Sequence, residues 1–172
     1  MHFSRWVAAC SAALLLVLGA AMPQAAQARS IVGFSGNYSA GTVVVKTGQR
    51  SLYYVLGNGK AVRYTVGVGR ASKQWTGTSM IDGKHLRPAW TPPAEVKRDK
   101  PWLPNVIPGG SPRNPMGAAA LTLAGGQYAI HGTNSPGSIG GFVSYGCIRM
   151  HNSDILDLYS RVGFGTTVVV TP

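Results

Sequence analysis

Acidic residues are what this chain has least of. Five aspartates and glutamates stand against 16 lysines and arginines in 172 residues, a formal net charge of +11. Such an excess suits a polyanionic partner or surface. The basic residues are scattered from Lys46 to Arg161 rather than blocked, and no zinc-finger or RNP pattern accompanies them, so nucleic acid is not the expected partner. Cysteine is nearly absent, with only Cys10 and Cys147. No C-x-x-C pair and no H-E-x-x-H motif occurs, which leaves the ligand set for a metal thin; no metal and no cofactor is expected. The chain also lacks internal repeats, low-complexity tracts and linkers.

Residues 1–28 read as a secretory signal. Arg5 supplies the positive end, an apolar run extends from about Val7 to Ala21, and Ala26-Gln27-Ala28 offers a small-residue cleavage site. The apolar run is short for a membrane span, which needs roughly 20 residues; an uncleaved anchor is the alternative. Cleavage near Ala28 implies an exported protein, in the periplasm or cell envelope, of about 144 residues, enough for one domain with a real core. Cys10 would leave with the signal. Cys147 would then be a lone thiol in an exported chain: inert and buried, linked to another molecule, or reactive.

Beyond an extension at 29–40, a domain is expected over 41–172. Thr42–Lys46 and Ser51–Leu56 are β-branched and aromatic runs, with Thr47–Arg50 as a turn between them. Gly57-Asn58-Gly59 signals a tight turn, and Ala61–Val68 reads as a third strand, an antiparallel start. Trp75–Met80 predicts a further short strand. Eight prolines fall in residues 83–117, where regular structure is not expected and where Trp90 and Trp102 suggest a packed, functional loop. Ala118–Leu123 and Gln127–His131 are strand-like around the turn Ala124-Gly125-Gly126. One helix follows, capped by Asn152 or Ser153, with Ile155, Leu158, Tyr159 and Val162 on one face and Gly163 as its stop. Thr166–Val170 closes the chain as a strand. The fold class is mostly β.

A nucleophilic thiol needs a base and, for acyl transfer, N–H groups aimed at the developing oxyanion. Cys147 follows a glycine and precedes the helix, and Arg149 is close enough in sequence to favour the thiolate. His131 is the candidate base, at the end of a strand. His151, near the start of the helix, is the competitor, whereas His85, in the proline-rich segment, is placed to line a groove. None of the five acids is an obvious partner to orient His131, so a backbone carbonyl is the expected one.

Ile130-His131-Gly132-Thr133-Asn134, Ser138-Ile139-Gly140, Ser144-Tyr145-Gly146-Cys147-Ile148-Arg149-Met150, Asn152 and Asp154 together resemble the signature of the L,D-transpeptidase catalytic domain of the YkuD or ErfK type. Trp90-Thr91-Pro92-Pro93, Pro108-Gly109-Gly110, Asn114-Pro115 and the closing strand are similar as well, so the resemblance runs over roughly residues 41–171. It implies a β-sandwich-like domain, with one helix after the catalytic cysteine, acting on peptidoglycan stem peptides and open to carbapenem-type inhibitors. Cys147 would be the nucleophile and His131 the general base. Gly132 would orient the histidine through its carbonyl, and the Gly146 and Cys147 amides would hold the oxyanion. Ser144, Tyr145, Arg149 and Trp90 would meet substrate, while Asn152 and Thr133 would brace the site. The implied reaction forms a Cys147 thioester with the third residue of a stem tetrapeptide, releases D-alanine and passes the acyl group to an amine. That amine belongs to a second stem peptide, giving a 3→3 cross-link, or to an envelope protein, which becomes anchored. Two other readings stand beside it: an L,D-carboxypeptidase with water as acceptor, and a degenerate peptidoglycan-binding module. The second arises because Tyr145 replaces the family's usual histidine. A tyrosine is no proton relay near neutrality, its pKa being about 10, so retained activity with altered rate or acceptor choice is expected.

Overall fold

A computed structural model describes residues 29–172. The signal assigned to residues 1–28 lies outside the described residues. The strands are β1 (Ser30–Gly33), β2 (Val43–Lys46), β3 (Ser51–Gly57), β4 (Lys60–Thr65), β5 (Val68–Gly69), β6 (Gly77–Leu86), β7 (Ala119–Leu123), β8 (Ala129–His131), β9 (Phe142–Ser144), β10 (Ile148–Arg149) and β11 (Thr167–Thr171). Two helices, α1 (Ala94–Asp99) and α2 (Asn152–Arg161), complete the regular structure with single 3-10 turns at Ala71–Lys73 and Pro136–Ser138.

Nine strands hydrogen-bond in the order β1-β4-β3-β2-β11-β6-β7-β8-β10, and β5 pairs with β9 in a small parallel ribbon. The sheet is mixed: β2, β3 and β4 form the antiparallel start, but β11 runs parallel to β2 and β10 parallel to β8. Strand β6 joins the two halves. Its residues 77–80 pair with β11 and its residues 81–86 with β7, across an irregularity between Ile81 and Gly83. One core receives side chains from both halves, including Val43, Val45, Leu52, Tyr64, Ile81, Leu121, Ile130 and Val168, and from α2 through Ile155 and Leu158. This is the sandwich-like arrangement. Val43-Val44-Val45 is buried throughout because β2 is covered on both faces, so its sequence reads as a continuous apolar run rather than an alternation. Val43 and Val45 enter the main core, and Val44 enters a second cluster with Phe34, Tyr53, Val55 and Ala61. Residues 29–40, taken above as an extension, carry β1, which pairs with β4, and Phe34 and Tyr38 of that second cluster.

Three local expectations change. The strand expected at Trp75–Met80 runs instead from Gly77 to Leu86; Asp82, Lys84 and His85 make its second half look like loop, although Ile81 and Gly83 point inward. The proline-rich segment holds a helix. Pro93 sits just before the first turn of α1, where a missing N–H costs nothing, and Pro101 prevents continuation beyond Lys100. At α2 neither Asn152 nor Ser153 caps the helix. His151 occupies the cap position without a side-chain bond, because the Asn152 side chain is held by other partners. At the other end Val162 is the C-terminal cap, so Gly163 stands just past the helix, as expected.

Candidate active site

His131 ends β8, a strand flanked by β7 on one side and β10 on the other. Ala120 faces it in antiparallel register and Arg149 in parallel register. The loop from β9 to β10 then brings Cys147 beside the start of the same strand, next to Ala129. His131, Cys147 and Arg149 line one cleft of about 470 Å³ with Trp90, Ser144 and Tyr145. His85 is exposed on β6 opposite Ala120, and His151 stands at the start of α2; neither lines this cleft.

His131 is 4 % exposed. Its Nδ1 lies 2.7 Å from the Gly132 carbonyl oxygen. A carbonyl only accepts, so Nδ1 carries the proton and Nε2 is left as the basic nitrogen. Burial, followed by the nearby Arg149 charge, depresses the imidazole to about 4, with the Gly132 and Pro115 carbonyls acting in the opposite direction. The ring is therefore neutral at pH 7 and able to take a proton.

Cys147 behaves differently from the expectation based on Arg149 alone. Burial pushes the thiol up, and the Ala129 backbone and the Arg149 charge offset only part of that. At neutral pH the resting pair is thus thiol and imidazole rather than thiolate and imidazolium. Arg149 is itself lowered by burial, and its Nε is buried without a hydrogen-bond partner. An unpaired guanidinium N–H beside a thiol favours any negative charge that develops in the cleft.

The loop that carries Cys147 is shaped by glycine and serine. Gly146 has φ +121°, and a Cβ there would collide with the Tyr128 ring. That ring stacks on Trp75 at 4.9 Å between centroids, and Trp75 Nε1 donates to the Gly146 carbonyl at 2.9 Å. Trp75 and Tyr128 were not singled out in the sequence, where they read as ordinary strand aromatics. Ser144 is 1 % exposed, and its Oγ donates to the Cys147 carbonyl at 2.6 Å while accepting from the Gly146 N–H at 3.0 Å. Ser144 thus braces the loop while lining the cleft, and the Gly146 amide is engaged with its hydroxyl.

Asn152 and Thr133 do not line the cleft; Asn152 ties the segments that flank His131. Its Oδ1 accepts from the amides of Ala118 and Thr133, both at 3.0 Å, and its Nδ2 donates to the Thr133 carbonyl at 3.0 Å. Thr133 Oγ1 accepts from the Ser135 amide at 3.0 Å, which continues the bracing. A Cβ on Gly132 would strike Asn152 Oδ1, so a glycine must follow the histidine. Trp90 is half-buried in the cleft wall and pairs through its backbone with Ile107 in both directions.

Tyr145 meets a partner that the sequence did not suggest. Its hydroxyl donates to Asp99 Oδ2 at 2.6 Å, and the Arg70 guanidinium lies 4.1 Å over its ring. Among the described residues no cluster of three His, Cys, Asp or Glu side chains could hold a metal ion, and no helix is long and apolar enough to cross a membrane.

Residues 40–170 match the model of a family described as the L,D-transpeptidase catalytic domain. The probable L,D-transpeptidases YbiS and ErfK/SrfK of Escherichia coli K12 are 39% and 37% identical to the chain over 137 residues, 74% of the chain in each case. The chain spans only 43% of the length of either relative. Among solved structures, an L,D-transpeptidase from Mycobacterium smegmatis superposes with a TM-score of 0.61 at 17% identity, covering 76% of this chain and 58% of that one. The catalytic domain from the E. faecium L,D-transpeptidase superposes with a TM-score of 0.60 at 17% identity, over 79% of this chain and 100% of that one. At such identities these structures speak to the fold. One similar structure, LdtMt1, was solved with imipenem.

Proposed function

The chain belongs to the L,D-transpeptidase catalytic-domain family, and from that premise we propose that it is a cysteine-dependent L,D-transpeptidase acting on peptidoglycan in the cell envelope. The observation that carries the reading is the shared cleft of Cys147 and His131, with the imidazole neutral and its Nδ1–H held by the Gly132 carbonyl.

The reaction starts from the neutral pair. As the stem tetrapeptide enters, His131 Nε2 takes the thiol proton while Cys147 Sγ attacks the carbonyl carbon at the L-centre of the third residue. The oxyanion is met by the Cys147 amide and by the Arg149 field, which act more strongly in a partly buried cleft than in water. Collapse breaks the peptide bond to the terminal D-alanine. The imidazolium returns its proton to the departing amine, and a thioester remains. An acceptor amine then attacks the thioester, gives up a proton to His131 and expels the Cys147 sulfur. A diaminopimelate side chain as acceptor yields a 3→3 cross-link, an envelope protein becomes anchored, and water completes hydrolysis.

Export by the signal at residues 1–28 would place the domain beside its substrate. The positive charge of the chain suits a carboxylate-rich polymer. Carbapenems are proposed to acylate the same sulfur.

Intact-mass spectrometry of the protein with a carbapenem, and separately with disaccharide-tetrapeptide, tests the reading. The expected result is a covalent adduct that disappears in Cys147→Ala and forms more slowly in His131→Ala. Analysis of the tetrapeptide products distinguishes transfer from hydrolysis. Folded protein that forms no adduct with either compound would refute an acyl-enzyme mechanism and favour the binding module.

A further inference from the structure

Tyr145 is at once the departure from the family signature and the centre of a polar cluster that joins three separate segments. It follows Ser144 on the nucleophile loop and lines the cleft. Its hydroxyl reaches Asp99, the last residue of α1, at 2.6 Å. Asp99 Oδ2 also lies 3.4 Å from Arg70 Nη2, and that guanidinium covers the tyrosine ring. Arg70 is anchored in turn, because its amide donates to the Ser144 carbonyl at 3.0 Å.

Helix α1 and its N-terminal cap form part of the cleft wall, through Pro93, Glu95 and Val96. The helix has only six residues and buries only Val96. Propensity and packing on that scale do not hold a helix in place. Its two acids do have partners. Glu95 forms an ion pair with Lys73, and Asp99 binds Arg70 and Tyr145. Both basic partners belong to or border the turn at Ala71–Lys73, so α1 is fastened at both ends to the same turn.

We propose that Tyr145 is a positioning residue that latches α1 across the catalytic cleft through Asp99 and Arg70, fixing the wall against which the donor peptide lies. It need not relay a proton, and a histidine at this position would not reproduce the combination of a neutral hydroxyl donor and a ring beneath a guanidinium. The hydrogen bond is charge-assisted, since Asp99 is held below the ordinary carboxylate range first of all by the tyrosine hydroxyl. The identity of the peptide rests on the proposed function; the latch itself does not.

The test pairs two reactions of the same sulfur. One is alkylation of Cys147 by iodoacetamide, a small reagent that needs access but no wall. The other is acylation by disaccharide-tetrapeptide. The variants are Tyr145→Phe, which keeps the ring, and Asp99→Ala, whose side chain is exposed, together with the double variant. Each single variant is expected to speed alkylation about three- to tenfold and to raise the KM for the tetrapeptide by a similar factor, a larger change than in the rate at saturation. The double variant should match either single one. High salt should speed alkylation of the parent protein and change the variants less. Alkylation that is unchanged or slower in both single variants, or effects that add in the double variant, would overturn the latch. If the parent protein resists the tetrapeptide, the proposed function fails, and alkylation still decides the latch alone.

Discussion

The neutral imidazole makes a prediction that needs no substrate. In the unfolded chain His131 titrates near its ordinary 6.5, and in the fold near about 4. As pH falls, the unfolded state therefore takes up a proton before the folded state does. Stability linked to this group is complete above pH 6.5, declines through the window between the two values, and is lost below about 4. At about 1.4 kcal/mol per pH unit, that window corresponds to about 3 kcal/mol. The assay is urea unfolding of the parent protein and of His131→Gln at a series of pH values from 7 down to about 4. Glutamine retains a donor for the Gly132 carbonyl and does not titrate. Other groups move in the same range; burial raises Asp154, whereas hydrogen bonds to Arg161 and Tyr145 lower Asp157 and Asp99, respectively. They are common to both proteins and drop out of the difference. The parent protein should lose about 3 kcal/mol more than the variant over this range. Equal losses would show that His131 is not buried as a neutral ring, and the base assignment would lose its electrostatic support. Acylation gives a parallel readout: its rate should stay level from neutrality to about pH 5 and halve near about pH 4, not near 6.5.

Gly146→Ala should cost roughly 1–3 kcal/mol of stability through its positive φ and the clash with Tyr128, and should reduce acylation by more than about 100-fold, because the Trp75–Tyr128 stack must move; thermal melts and adduct kinetics check the two parts. Asn152→Ala removes three hydrogen bonds and strands the Ala118 and Thr133 amides, for an expected loss of about 2–4 kcal/mol in urea unfolding. Tyr64→Phe takes a hydroxyl from Asp157, 2.6 Å away, and should lower stability by about 1–2 kcal/mol without changing the rate of adduct formation.

The sequence by itself determined the mostly-β class and the strands around the Gly57-Asn58-Gly59 and Ala124-Gly125-Gly126 turns, and it singled out Cys147 and His131, which the fold brings to one cleft. These rest on local properties: β-branched runs, positive-φ glycines and a signature whose spacing is carried along one stretch of chain. The shortage of acids even indicated that a carbonyl would orient the histidine, and Gly132 does so at 2.7 Å. Tertiary structure decided the rest. The turn of the chain around Gly146 directs the Ser144 hydroxyl onto its own loop, and burial outweighs Arg149 in setting the Cys147 thiol. Trp75 reaches Gly146 across 71 residues, and Tyr145 reaches Asp99 across 46. No propensity or period encodes such pairs, because each depends on where the folded sheet brings distant segments together. The acid that answers Tyr145 lies on a six-residue helix between prolines, too short to announce itself and held in place by the same contacts that give it a role.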